Sequence, residues 1–421
     1  MSVASLYEYY ATQSVRPTYA DFGDDAELSK YAELRKNVFY RLMLPPAVFG
    51  GKRLLEFGPD TGENSLVFAQ WGARLTLVEP NAEAHSYIRR YFSKFGLDAR
   101  LDDVVAASFL DFTAPHKFDV IDAEGFIYTI QPNSAWIKKT GECLERDGFL
   151  IISYMELYGG FMELLLKAIY HQAMRDQAYG AGIETAKQLF LPKWNCIQHT
   201  RKIDSWFMDV IENPFVRRKY FIDPVELLKD MHAGGFRLYS SWPNYKDVLA
   251  MHWIKAAYYE EDDVRSSISF VEQSRLSHFL GNKCFLPMQS RDLTDNIRML
   301  VEITDGLIDE GSKAACAKAG EYVEKILNGM NSIMPVASSY DLASANSILS
   351  MIRKIFELMG KDSADDLINF CRTDGVFIST WGMPSHHAVF QYTGSLSWTN
   401  NQRNLIGQQT GSESRVPPEQ H

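Results

Sequence analysis

Leu54-Leu55-Glu56-Phe57-Gly58-Pro59-Asp60-Thr61-Gly62-Glu63-Asn64 decides how the chain is read: an apolar strand stops at an acidic residue, turns through two glycines and hands over to a helix beginning near Glu63. Glycine at 58 and 62 lets the backbone turn tightly and approach a ligand with no Cβ in the way. The first turn of the helix offers unpaired N–H groups to an anion or carboxylate. Glu79 ends the next strand, where its carboxylate can accept hydrogen bonds from both hydroxyls of a ribose, as an acidic residue does at that place in dinucleotide folds. Together these features call for a ligand that carries a ribose.

Working outward, 53–57, 74–78, 104–108, 118–122 and 149–153 read as strands, with helices over 63–71, 82–95 and about 134–144 between them. Short, nearly all-apolar strands separated by helices form a parallel sheet buried on both faces. The alternation stops at 154–220, a helical and aromatic segment, and resumes when Asp223-Pro224 caps a helix over 225–232 and 236–241 makes a strand. The segment 248–255 offers a last strand and 270–287 a connection. The fold class is therefore α/β: a doubly wound, mostly parallel Rossmann-like sheet with a helical insertion and a helical C-terminal extension. Its expected parts are an N-terminal helical segment (1–45), a sheet domain (46–153 and 221–288), an inserted cap (154–220), a helical C-terminal region (289–399) and a disordered tail (400–421).

The N-terminal helix runs through Leu28, Tyr31, Leu34, Val38 and Leu42 until Pro45 and Pro46 stop it. It reads either as a cover over the ligand's open side or as support for the sheet edge. In the C-terminal region, Leu293, Ile297, Leu300, Ile303 and Leu307 share one helical face, and further helices follow over 314–326 and 344–358. These helices serve either dimerisation, as a homodimer, or closure over the site. The mixed segment 375–392 folds back onto the body.

The 421 residues carry a net charge of −10, with 46% hydrophobic and 13% aromatic residues. Mixed charge with an acidic excess leaves no electrostatic footprint for nucleic acid. The most apolar stretch, 161–170, is broken by Glu163 and Lys167 and falls short of the roughly 20 residues of a membrane span. Five scattered cysteines without a CxxC pair suggest neither disulfides nor zinc, and no spacing among the ten histidines suggests a metal. The expectation is a cytoplasmic protein with no membrane or nucleic-acid partner.

A pyrophosphate binder wants G-x-G-x-x-G, whereas Gly58 and Gly62 stand four apart with Asp60 between them. At this point the chain resembles the class I S-adenosylmethionine-dependent methyltransferases. Glu56, Gly58 and Gly62 match the acidic residue and glycines of their first motif; Glu79 in Val78-Glu79-Pro80-Asn81 matches the acidic residue after the second strand. Residues 118–125 match the fourth-strand motif and 147–152 the fifth strand. Asp60 departs from the pattern, since a glycine is usual there. Within the family, enzymes acting on small molecules or sugar units in surface-glycan or secondary-metabolite pathways are the nearest branch.

The resemblance implies S-adenosylmethionine as cofactor, with S-adenosylhomocysteine as product, held by Glu56, Gly58, Pro59, Gly62, Asn64, Glu79, Pro80, Ser108, Phe109 and Glu124. Glu56 and Gly58 would line the methionine part, Glu79 the ribose, and Ser108 with Phe109 the adenine. Phe109 reads equally well as a core aromatic. Glu124 would face the transferred methyl. If the acceptor is a hydroxyl, a general base must take its proton; Glu124, Tyr128 and His199 are the named candidates, with Glu156 and His171 in reserve. Two rivals stand beside methyl transfer to a small-molecule or sugar oxygen or nitrogen: an NAD(P)-dependent reductase, and a non-catalytic scaffold in which Asp60 marks a degraded motif.

Overall fold

The computed structural model describes residues 5–13, 22–176, 182–197, 202–247, 260–281, 290–333, 339–361 and 364–394. Among the described residues seven strands form one sheet: β1 (Arg53–Phe57), β2 (Arg74–Val78), β3 (Leu101–Val105), β4 (Phe118–Ala123), β5 (Leu144–Met155), β6 (Phe236–Trp242) and β7 (Ser385–Tyr392), in the order β3-β2-β1-β4-β5-β7-β6. The first five run parallel, with Leu54 opposite both Leu75 and Val120. Only β7 runs antiparallel to its neighbours, β5 and β6.

Side chains alternate across the sheet with a period of two. Leu54, Val120 and Ile151 join one core with Leu66, Phe68 and Phe92; Leu55, Ile121, Leu150 and Ile152 join a second with Tyr154, Leu164 and Phe390. Both faces are covered, which is why these strands are almost wholly apolar.

The helices are α1 (Leu6–Gln13), α2 (Asp25–Arg41), α3 (Glu63–Gln70), α4 (Ala82–Lys94), α5 (Asn133–Cys143), α6 (Phe161–Met174), α7 (Ile183–Asn195), α8 (Ile203–Trp206), α9 (Pro224–Ala233), α10 (Glu260–Phe279), α11 (Arg291–Asp309), α12 (Lys313–Ile333), α13 (Ser339–Met359), α14 (Asp365–Thr373) and α15 (Gly375–Ser379). Asp24 caps α2 by accepting from the N–H groups of Ala26 and Glu27. Helices α6 to α8 fill the interval between β5 and α9, where an insertion was expected. Among the described residues, no helix is long and apolar enough to cross a membrane.

The structure corrects three expectations. The seventh strand is Ser385–Tyr392, which the sequence reading left in the helical region 289–399, so α10 to α15 lie in the chain between the paired strands β6 and β7. Strand pairing is a long-range property, and the short SHHAVFQY segment carries no local sign of a strand closed in on both sides. The rival segment 248–255 and the tail 400–421 lie outside the described residues. The third strand starts at Leu101 rather than at 104, because an edge strand tolerates the exposed Asp102 and Asp103. Finally, 270–279 is not a connection but the end of α10.

Candidate active site

At the carboxyl ends of β1, β2, β4 and β5 a cavity of about 880 Å³ opens. Its first end is built by the β1–α3 turn. Gly58, Asp60 and Gly62 all have positive φ (66°, 50° and 92°). A Cβ at Gly58 would stand 3.2 Å from the Phe126 ring, in space the cavity uses. Asp60 occupies the left-handed region that its short polar side chain tolerates. The residue that departs from the family pattern thus keeps the backbone shape a glycine would give.

Glu79 ends β2 beside this turn, and Gly58 N–H donates to the Val78 carbonyl (2.9 Å). The Glu79 carboxylate accepts from Asn81 N–H (2.8 Å) on Oε1 and from Asp60 N–H (3.2 Å) on Oε2, so its orientation is fixed by backbone. Burial pushes its pKa up to about 7, with Asp60 adding repulsion, against the pull of those two N–H groups. Each oxygen retains lone-pair capacity for a further donor, as a pair of ribose hydroxyls would supply. Pro80, Ser108 and Phe109 line the same end, Phe109 packed 4.3 Å, centroid to centroid, from Phe57.

Four residues assigned to the cofactor are not on the cavity wall. Gly62 packs against α4, where a Cβ would meet Ile88 at 3.1 Å. Pro59 is buried. Asn64 accepts from the Tyr31 hydroxyl (2.7 Å), which ties the turn to α2. Glu56 is buried and accepts from the Ser65 hydroxyl (2.5 Å); burial raises its pKa to about 7. Glu56 therefore braces the loop.

Glu124 does line the cavity, yet its carboxylate is committed. Arg35 of α2 donates to it at 2.5 Å, and His387 Nε2 of β7 stands 3.4 Å from its other oxygen. Burial alone would raise this carboxyl; Arg35 and His387 outweigh it and hold the pKa at about 2. A carboxylate that weakly basic takes protons poorly near neutral pH. Tyr128 also lines the cavity, and burial, helped by Asp209, raises its pKa, so its hydroxyl is a donor rather than a base. His199 lies outside the described residues. His171 and Glu156 are off the cavity wall.

The second end of the cavity holds a group the sequence reading passed over. Glu163, in the first turn of α6, lines the cavity at 6% exposure, and its Oε2 has no hydrogen-bond partner. Burial lifts its pKa to about 8. The signal was present: a single carboxylate in the otherwise apolar start of α6 must be buried, and burial disfavours its charged form. Gly382 passes so near that a Cβ there would sit 2.7 Å from Glu163 Oε2. Trp194, Trp206 and Trp381 line the cavity with it, their centroids 5.4, 6.1 and 6.5 Å apart pairwise.

Local chemistry holds this end in place. The Lys193 ammonium donates to the carbonyls of Phe377 (2.6 Å) and Thr380, and lies 4.7 Å from the Trp381 ring, fixing the turn that carries Trp381 and Gly382. The π-helical turn Phe207–Ile211 turns Asp209 into the cavity, where Asp209 accepts from the Tyr10 hydroxyl (2.6 Å). Tyr9 donates to the Met208 carbonyl (2.6 Å). Of the N-terminal helices it is thus α1 whose residues line the cavity, while α2, with Leu28 and Phe39 in the opposite core, braces it from behind.

Among solved structures the chain is similar to the CcbJ methyltransferase from Streptomyces caelestis (17% identity over 27% of this chain and 52% of that one, TM-score 0.25). It is also similar to the glycopeptide N-methyltransferase MtfA complexed with sinefungin (18%, 34% and 60%, TM-score 0.25) and to PKMT2 from Rickettsia typhi in complex with AdoHcy (14%, 57% and 50%, TM-score 0.39). The chain thus spans between half and two thirds of the length of each. No curated protein matches it. Residues 30–241, half of the chain, match the family model described as a methyltransferase domain, and that match takes in β1 to β5, the glycine turn, Glu79 and all of β6 but Trp242. The chain belongs to the class I S-adenosylmethionine-dependent methyltransferase family.

Proposed function

We propose that the protein transfers a methyl group from S-adenosylmethionine to an oxygen or nitrogen of a small-molecule acceptor with an apolar or aromatic body, and that Glu163 takes the acceptor's proton. One observation carries this reading. A single cavity joins the glycine turn and Glu79 at one end to a buried carboxyl, whose Oε2 has no hydrogen-bond partner, among three tryptophans at the other.

The residues fit the cofactor. The Gly58 cradle would be filled by a Cβ, and Glu79 is oriented by backbone at the end of β2. Gly58 and Asp60 would hold the amino-acid part, Glu79 the ribose hydroxyls, and Ser108 with Phe109 the base. When bound, S-adenosylmethionine supplies a sulfonium methyl that is already activated, with a neutral thioether as its leaving group. The chain's task is then to orient the acceptor, which can be worth roughly 7–11 kcal/mol over free encounter. Trp194, Trp206 and Trp381 offer flat faces for that purpose. The ionised Glu163 Oε2 removes the O–H or N–H proton as the acceptor atom gains its methyl, and the low local polarity that raises its pKa makes it an effective base near pH 8.

A volume of about 880 Å³ suits a cofactor with a small acceptor and is within the usual range for ligand sites. A sugar unit is accommodated by the same aromatic faces. The described cysteines, Cys143, Cys196, Cys316 and Cys371, are unpaired, which supports a reducing, cytoplasmic setting. Calorimetric titration with S-adenosylmethionine, S-adenosylhomocysteine and NADH tests the reading. Binding of the two sulfur ligands with a Kd in the micromolar range and none of NADH is expected; binding of NADH alone would overturn it. Co-crystallisation with S-adenosylhomocysteine would then show the acceptor space beside its sulfur.

A further inference from the structure

Behind the cavity, Glu156, His278 and His386 converge from three elements distant in the chain: the residue after β5, the end of α10 and the second residue of β7. Their exposures are 0%, 2% and 0%. One donor atom from each lies within 4.8 Å of the other two. Glu156 Oε1, His278 Nδ1 and His386 Nε2 all lack a hydrogen-bond partner. Three buried polar atoms without hydrogen-bond partners are costly, since each unsatisfied group forfeits about 1–3 kcal/mol.

We propose that these three residues bind a divalent transition-metal ion, with zinc the best match to two imidazoles and one carboxylate. Such an ion sits about 2.0–2.2 Å from each ligand atom, so binding draws the three donors closer together.

The surroundings orient the donors as a metal site requires. Glu156 Oε2 accepts from the N–H groups of Tyr158 (3.0 Å) and Gly159 (2.5 Å), which fixes the carboxylate with that oxygen 3.9 Å from His386 Nε2. The other nitrogen of His386, Nδ1, is 2.6 Å from the Tyr245 hydroxyl, which in turn is hydrogen-bonded to Tyr154. In the tautomer whose Nδ1–H donates to Tyr245, Nε2 carries a lone pair, the arrangement that outer partners impose on metal-binding histidines. The rings of His278 and His386 stand nearly perpendicular, centroids 4.8 Å apart, so both can aim a nitrogen at one point without stacking.

The position suggests what the ion does. Glu156 follows Met155, and His386 follows Ser385, both on the cavity wall. The ion therefore fastens α10 to the two strand ends that floor the cavity, and sequence spacing gives no hint of it because the ligands come from three separate segments.

The test uses the tag-free full chain, dialysed against a chelator and titrated with Co²⁺. One equivalent is expected to produce visible d–d absorption, which Zn²⁺ bleaches, and zinc is expected to raise the unfolding midpoint. Glu156→Gln and His278→Ala should abolish the spectrum. The nearly isosteric Tyr245→Phe, which spares the ligands and serves if those variants do not fold, should weaken binding roughly 10–100-fold. No absorption and no retained metal in the dialysed wild-type chain would overturn the proposal. So would stoichiometric binding that survives Glu156→Gln and His278→Ala.

Discussion

At one end of the cavity, Gly58, Asp60 and Glu79 come from two successive strand-to-helix loops, and their backbone does most of the holding. At the other, Glu163, Trp194, Trp206 and Trp381 come from α6, α7, α8 and the stretch just after α15, and side chains do the holding. The first end holds Glu79 by backbone N–H groups and Glu124 by an arginine; at the second, Glu163 Oε2 has no hydrogen-bond partner. An end built from backbone presents the same groups whatever the side chains around it, and so suits an invariant cofactor. An end built from aromatic side chains can be reshaped by single substitutions and so suits a particular acceptor.

That contrast can be broken by experiment, and the largest effect is expected at the acceptor end. Glu163→Gln should lower kcat by ~10²–10⁴-fold, the usual worth of a general base, while leaving S-adenosylmethionine affinity, read by calorimetry, unchanged. An unaltered kcat would remove Glu163 from the chemistry. The pH profile sharpens the same point. A base must be ionised to act, and burial raises the Glu163 pKa to about 8. Hence kcat/KM should rise about tenfold per pH unit below 8 and flatten above it; a profile flat from pH 6 to 9 would contradict the assignment.

Next in size is the ion pair that braces the cofactor end. Arg35→Met leaves the buried Glu124 with His387 alone beside it and should cost about 3–5 kcal/mol of unfolding free energy, measured by denaturant titration. Adding Glu124→Gln should recover much of that loss; a double variant as unstable as the single would mean that Arg35 acts through packing. Glu79→Ala removes the proposed ribose acceptor and should weaken S-adenosylmethionine binding by about 1.5–3 kcal/mol, roughly ten- to hundredfold in Kd. Equal affinity would put the ribose elsewhere.

The smallest effect is expected at Asp60. Relief of its positive φ and the greater unfolded-state freedom of glycine oppose each other, so Asp60→Gly should change stability by less than about 1 kcal/mol. Cofactor affinity should also be nearly kept, whereas Asp60→Val should damage both, because a β-branched side chain resists that conformation. A large loss in the glycine variant would give the Asp60 carboxylate a direct part in binding.

Legibility followed the same division. Five strands and the helices between them were readable because apolar runs and glycine stops are local, and Glu79, Pro80, Ser108 and Phe109 do stand with Gly58 around one cavity. Glu56, Gly62 and Asn64 share the motif yet support the turn from behind, since a motif records what the loop needs without separating wall from brace. Glu124 lines the cavity, but its pairing with Arg35 and His387 depends on α2 and β7, neither of which is near it in the chain. Glu163 gave a signal that was read only as a break in an apolar run.

The sequence by itself determined the parallel sheet, the glycine turn and the acidic end of β2, because each follows from residue types at short spacing: backbone freedom at glycine, burial of apolar runs, and charge at a strand end. Only the tertiary structure decided that the seventh strand comes from 385–392, that Glu163 meets three tryptophans, and that Glu156, His278 and His386 share one buried point. These depend on which distant segments pack together. Sheet pairing and core closure are settled by the summed burial of the whole chain, so no local pattern announces them.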